Sequence, residues 1–118
     1  MAKITLIDDS QATLDMLKSF LQAQHDVTTY SDSAGVELSV AAEQPDLILL
    51  DVVMPERNGY EVMRALKRNP DTKGIPVILV TSKSEETDVR WGKRQGAADY
   101  VTKPFTSEQI LSAVSKQL

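Results

Sequence analysis

Five times along this chain a short apolar run gives way to a longer stretch with helical spacing, and no other feature restricts the possible folds so severely. The first run is Lys3–Ile7, followed by Gln11–Gln24 with Leu14, Leu17 and Leu21 on one face. Val27–Tyr30 precedes a second helical stretch, Ala34–Glu43. Leu47–Leu50 precedes a third, which starts at Asn58-Gly59 and ends at Arg68, with Asn58 as N-cap and Val62, Met63 and Leu66 inward. Val77–Val80 leads to Glu85–Gln95, for which Ser84 is the expected cap and Glu85-Glu86 the acidic first turn. Ala98–Thr102 leads to the last helix, opened by a capping box at Thr106 and Gln109, with Phe105 and Ile110 placed for a hydrophobic staple. Ile110, Leu111, Val114 and Leu118 are expected to face the sheet.

Strict strand–helix alternation implies an α/β fold, a doubly wound parallel sheet with helices on both faces. The strands rank by burial. Runs one, three and four are almost continuously apolar, as strands covered on both faces should be. Runs two and five contain Thr28, Thr29, Asp99 and Thr102, which puts them at the edges. The resulting order is 2-1-3-4-5, with a switch point between strands one and three, where ligands bind at the carboxyl ends of strands. At 118 residues the chain fits one domain with one core, without room for an output domain.

In that arrangement the strand ends carry the chemistry. Asp8-Asp9 follow the first run, Asp51 the third, Thr81 the fourth and Lys103 the fifth. Clustered carboxylates repel one another, so cations must offset them. An all-oxygen donor set suits a hard cation such as Mg²⁺ together with a phosphate. Lys103 offers a mobile positive charge and Thr81 a hydroxyl donor. Together they describe a site where a phosphoryl group sits on or beside a carboxylate, with the carboxylate able to act as nucleophile.

Each residue alone also has an ordinary structural reading. Asp9 or Ser10 could cap the first helix. Thr81 could bond to backbone, Lys103 could lie in solvent, and Tyr100 could be a packing residue with a wet hydroxyl. Trp91, with Val89 the other large apolar residue of its helix, is either incidentally half-buried or a partner contact. The pairing of Asp8-Asp9 with Asp51 favours the functional reading of the set.

The set Asp8-Asp9, Asp51, Thr81-Ser82 and Lys103-Pro104-Phe105 resembles the receiver domain of two-component response regulators, over the whole chain. The chemotaxis receiver is itself a standard example of the 2-1-3-4-5 order, so that match is not independent. The resemblance implies a flavodoxin-like fold and a phosphoryl group accepted by Asp51 from a sensor histidine kinase. It implies Mg²⁺ held directly by Asp9 and Asp51, through water by Asp8, and by the backbone carbonyl of Val53. Thr81 and Lys103 would hold phosphoryl oxygens, Tyr100 would turn inward when Thr81 moves, and the Lys103-Pro104 bond would be cis. The implied output is a repacked surface of helix four, strand five and helix five that regulates an effector protein. A phosphate sink, a relay intermediate and a phosphorylation-independent docking module are the alternatives. The stretch from Glu86 to Ala97 is similar to stand-alone receivers of type IV pilus signalling, which suggests twitching or chemotaxis-like motility.

Two other classes fit less well. Aspartyl-phosphate phosphatases need a second Asp two residues after the nucleophile, where this chain has Val53. A flavin carrier would meet repulsion between Asp8-Asp9 and the flavin phosphate. The expectation is a switch and not an enzyme. A net charge of -4 argues against sequence-independent nucleic-acid binding. The absence of cysteine, of a membrane-length apolar stretch and of a signal peptide leads to an expectation of a cytoplasmic monomer.

Overall fold

The computed structural model describes residues 1–118. The elements run β1 (Lys3–Ile7), α1 (Gln11–Leu21), β2 (Asp26–Tyr30), α2 (Val36–Glu43), β3 (Leu47–Leu50), α3 (Gly59–Arg68), β4 (Val77–Thr81), α4 (Glu86–Arg94), β5 (Asp99–Thr102) and α5 (Ser107–Gln117). All strand pairs are parallel and the order is β2-β1-β3-β4-β5. β1, β3 and β4 are buried almost throughout, while β2 and β5 are half-exposed, as their sequences require of edges.

Period-two alternation divides the core between the two faces. Ile4, Leu6, Leu47, Leu49, Ile78 and Val80 pack with Leu14, Leu17 and Leu21 of α1 and with Ile110 and Val114 of α5. Ile7, Ile48, Leu50, Val77 and Leu79 pack with Val40 of α2 and with Val62, Met63 and Leu66 of α3. Arg57 ties α2 to the entry of α3. Its guanidinium donates to both carboxylate oxygens of Glu37 at 2.9 and 3.0 Å and to the Ser33 carbonyl at 2.9 Å.

Several boundaries differ from the sequence expectation for local reasons. α1 stops at Leu21, whose carbonyl accepts from the N–H groups of Gln24 and His25 in a tight turn that delivers Asp26 to the sheet. α2 starts at Val36 because Gly35 adopts a left-handed φ of 63°. The cap of α4 is Glu85 and not Ser84, and its N–H donates to the Asp88 carboxylate at 3.3 Å. β4 continues through Thr81, and β5 begins at Asp99. On α5, Leu111 and Leu118 face outward, 42% and 51% exposed, with Ala113 taking the sheet-facing place between Ile110 and Val114. The capping box at Thr106 and Gln109 forms as expected.

Gly59 is the position where the packing allows no side chain. A Cβ there would lie 2.1 Å from the Asp51 carbonyl oxygen and 2.8 Å from the Val52 Cα, both backbone atoms that cannot swing away. The close approach lets the Gly59 N–H donate to the Val52 carbonyl at 2.9 Å, which fixes the start of α3 against the end of β3. Gly59→Ala is therefore expected to lower unfolding stability by about 2–4 kcal/mol. Gly74→Ala, where nothing lies within 4 Å, should change it by less than about 0.5 kcal/mol. Urea titration of the two variants checks the contrast.

Candidate functional site

The backbone ladder places four polar side chains at one edge of the sheet. The last β1–β3 pair is Ile7 with Leu50, and Asp51 N–H donates to the Ile7 carbonyl at 3.0 Å just beyond it. Asp8 N–H donates to the Tyr30 carbonyl at 3.1 Å, and Lys103 N–H donates to the Thr81 carbonyl at 2.8 Å. These bonds extend the sheet by one residue on each strand, so the side chains of Asp8, Asp51 and Lys103 converge across the switch point. The Lys103-Pro104 bond is cis.

Lys103 Nζ lies 2.8 Å from Asp8 Oδ2 and 3.1 Å from Asp51 Oδ2, bridging residues 95 and 52 positions away in sequence. Asp8 is 2% and Asp51 5% exposed, and Thr81 is completely buried. Asp9 completes the set at the rim. One carboxylate oxygen each from Asp8, Asp9 and Asp51 falls within 4.8 Å of the others. At an effective dielectric near 20, two carboxylates that close repel by about 3 kcal/mol or more. A single ammonium leaves the cluster short of positive charge.

The smaller contacts decide which oxygen is free. Ser10 caps α1, its hydroxyl accepting from Thr13 N–H at 3.3 Å. Asp8 Oδ1 accepts from Ser10 N–H at 2.9 Å. Capping is thus done by Ser10, which leaves Asp9 exposed and without a helix to serve. Asp51 Oδ1 accepts from Val53 N–H at 3.1 Å, and the Val53 side chain stands 49% exposed beside the site. Burial pushes the Asp8 carboxyl above the ordinary aspartate value, with Asp51 adding to the rise and Lys103 and the Ser10 N–H opposing it. For Lys103, burial alone would lower the ammonium, but its hydrogen bonds to Asp8 and Asp51 outweigh burial and its pKa ends above normal.

This donor set fits a divalent hard cation: three carboxylates, all oxygen, with negative charge in excess.

Thr81 connects the cluster to α4. Its Oγ1 accepts from Lys83 N–H at 3.4 Å, and the Lys83 carbonyl accepts from the Tyr100 hydroxyl at 2.7 Å. The Tyr100 ring is half-buried already, and burial first, then its neighbour Tyr60, raise its pKa. The ring lies over Gly92 of α4, where a Cβ would be 2.8 Å from both Tyr100 Cε2 and Leu79 Cδ1. Glycine weakens a helix by about 1 kcal/mol against alanine, and Gly92 is there because it makes room for Tyr100. Gly59's role escapes the sequence reading, and the link through Lys83 is made by its backbone N–H and carbonyl and not by its side chain. Val89 and Trp91 part company: Val89 shares a depression with Tyr100 and Lys116, and Trp91 points to the α3 side.

The known proteins agree on what this arrangement is. The family model described as the response regulator receiver domain matches residues 4–115. Protein PilH of Pseudomonas aeruginosa is 40% identical over 119 residues, covering 100% of this chain and 98% of that protein. Response regulator PleD of Caulobacter vibrioides is 37% identical over 114 residues, covering 96% of this chain but 25% of PleD. Among solved structures, chemotaxis protein CheY4 of Vibrio cholerae superposes with a TM-score of 0.92 at 29% identity, covering 100% of this chain and 99% of that one. A BeF3-activated DrrB receiver domain gives a TM-score of 0.85 at 36% identity, covering 99% and 97%.

The raised Asp8 pKa has a definite sign. A carboxyl whose folded pKa exceeds its unfolded value contributes stability that is complete below 3.8 and is lost as pH rises through the folded value. Asp8→Asn removes that loss. In chelator-treated buffer the variant is expected to be more stable than wild type at neutral pH, with the difference vanishing below the ordinary aspartate range. Urea unfolding across pH tests this, and an Asp8→Asn chain less stable at neutral pH contradicts it.

Proposed function

This chain belongs to the response regulator receiver domain family, and from that premise we propose that Asp51 is its phosphoacceptor and that Thr81, Lys103, Asp8 and Asp9 serve the transfer. Receiver domains are phosphorylation-activated signalling switches that take a phosphoryl group from a histidine kinase and act on downstream partners. The observation that carries the assignment is the bridging of Asp51 and Asp8 by Lys103 at the sheet's switch point.

The chemistry follows from the contacts. An Asp51 carboxylate oxygen attacks the phosphorus of a phosphohistidine. The O–P bond forms, the P–N bond breaks, and its electron pair returns to the imidazole. Lys103 keeps Asp8 as a partner while its ammonium turns from Asp51 Oδ2 to a phosphoryl oxygen. The Thr81 hydroxyl donates to another phosphoryl oxygen. These groups are positioned before the reaction, so the protein's contribution is alignment and charge neutralisation. Asp9, Asp51, Asp8 and the Val53 carbonyl would hold Mg²⁺, which would supply the remaining positive charge.

Thr81 turning towards the phosphate loosens its 3.4 Å contact with Lys83. The Lys83 carbonyl anchors Tyr100, so the change passes to the Tyr100 ring, to Gly92 and to the surface of α4, β5 and α5. This is a two-state element biased by new charge-assisted bonds. The match to PilH supports a receiver that works by binding partners, in a type IV pilus or chemotaxis-like pathway.

Intact-protein mass after incubation with acetyl phosphate and Mg²⁺ tests the assignment. One added phosphoryl group is expected, absent from Asp51→Asn and absent with EDTA. An adduct that survives in Asp51→Asn places the acceptor elsewhere.

Val53 bears on the lifetime of the adduct. Its apolar, half-exposed side chain sits where a polar group could orient an attacking water. Val53→Asn is expected to speed loss of the phosphoryl group by on the order of tenfold. An unchanged or slower loss, followed by the same mass measurement over time, refutes it.

A further inference from the structure

Positive charge is unevenly spread along this acidic chain. Residues 57–97 hold nine of the thirteen lysines and arginines but five of the seventeen acids, so that third of the sequence carries +4 and the remainder −8. In the fold this segment supplies α3 and α4, which meet side by side. The rings of Tyr60 and Trp91 touch edge to face, with centroids 6.5 Å apart and planes at 85°. On α4 a shallow depression is lined by Thr87, Arg90, Trp91 and Arg94, a single helical stripe. On α3 a second is lined by Arg57, Glu61, Arg64, Ala65 and Arg68.

Helix dipoles explain only part of this. Lys67, Arg68, Lys93 and Arg94 occupy last turns, where cations are favoured. Arg64 and Arg90 lie a turn earlier and gain little from the dipole. Nor do they serve internal ion pairs. The three ion pairs of the molecule belong to Arg57 and Lys103, and none involves Arg64, Arg68, Arg90 or Arg94. Trp91 stands 45% exposed between Arg90 and Arg94, and its ring meets Tyr60, one turn before Arg64 on α3. Unpaired arginines around an exposed tryptophan are the residue types that anchor protein interfaces, and a planar guanidinium matches a carboxylate in two places.

We propose that the α3–α4 face docks an acidic segment of a partner protein, its carboxylates pairing with Arg64, Arg90 and Arg94 while an apolar side chain covers Trp91. Charge complementarity sets the occupant. A compact anionic segment is disfavoured by the net −8 remainder and favoured at these arginines, which orients the encounter as well as holding it. A duplex nucleic acid would run past the two helices onto negative surface. The face shares no residue with the Asp8, Asp51 and Lys103 cluster, so this inference stands apart from the phosphoacceptor assignment.

Trp91 is the only tryptophan, which makes its emission a direct reporter. The whole chain is titrated with a short peptide of glutamates and leucines, its glutamine counterpart, phosphatidylserine vesicles and duplex DNA. The glutamate peptide is expected to change Trp91 emission saturably and the glutamine peptide to leave it unchanged. Arg64→Glu with Arg90→Glu should weaken binding by about tenfold or more, while Lys18→Glu with Lys116→Glu, the same charge change on α1 and α5, should alter it by less than about twofold. Far-UV circular dichroism and a cooperative urea transition report that the arginine variant is folded; if it is not, Arg64→Gln with Arg90→Gln replaces it. Equal losses in the two double variants, no response to the glutamate peptide, or a stronger response to vesicles or DNA overturns the proposal.

Discussion

One ammonium holds together charges that would otherwise drive the sheet edge apart. Lys103 reaches Asp8 and Asp51 at 2.8 and 3.1 Å, and both carboxylates are nearly buried. Removing the Lys103 ammonium would leave two uncompensated carboxylates in a poorly solvated place, which costs far more than the pairs contribute to stability. The arrangement is therefore weak evidence for stability and strong evidence for chemistry. Its negative excess is what a cation and a phosphoryl group, arriving together, would find complementary.

The fold exists around this edge in a concrete sense. Parallel strands bring four carboxyl ends to one side, and the order β2-β1-β3-β4-β5 opens the crevice between β1 and β3. Gly59 lets α3 press its first turn against Asp51, and Ser10 takes over the capping of α1 so that Asp9 stays available. From Thr81 a short relay of hydrogen bonds through Lys83 reaches Tyr100, and Tyr100 lies on Gly92. A change at the phosphoacceptor thus has a physical route to α4, through contacts that are few and in one case long.

Much of this was legible in the sequence because burial leaves an imprint. β1, β3 and β4 are covered on both faces and read as unbroken apolar runs, which fixed the strand order and the edges. Asp8, Asp51, Thr81 and Lys103 stood out as polar groups where such runs end. What stayed hidden is carried by backbone or by direction. A glycine gives no sign of what it makes room for, so Gly59 read only as a helix start and the seat of Tyr100 on Gly92 did not show. Ser84 is the better cap by residue type, and the reach of Asp88 to the Glu85 N–H moves the helix start one residue on. Leu111 and Leu118 match helical spacing yet lie at the margin of the face, beside Phe20 and Ala23 at the end of α1. Val89 and Trp91, two residues apart on a helix, point to different neighbours.

The claim most exposed to test is that Asp51 and α4 are coupled through Thr81, Lys83 and Tyr100. Amide hydrogen exchange of the whole chain, with and without acetyl phosphate and Mg²⁺, reads it directly. The account predicts altered protection across residues 84–102 on phosphorylation, lost in Thr81→Ala although that chain still gains the phosphoryl mass. Unchanged exchange in 84–102 of a fully phosphorylated wild-type chain would contradict it.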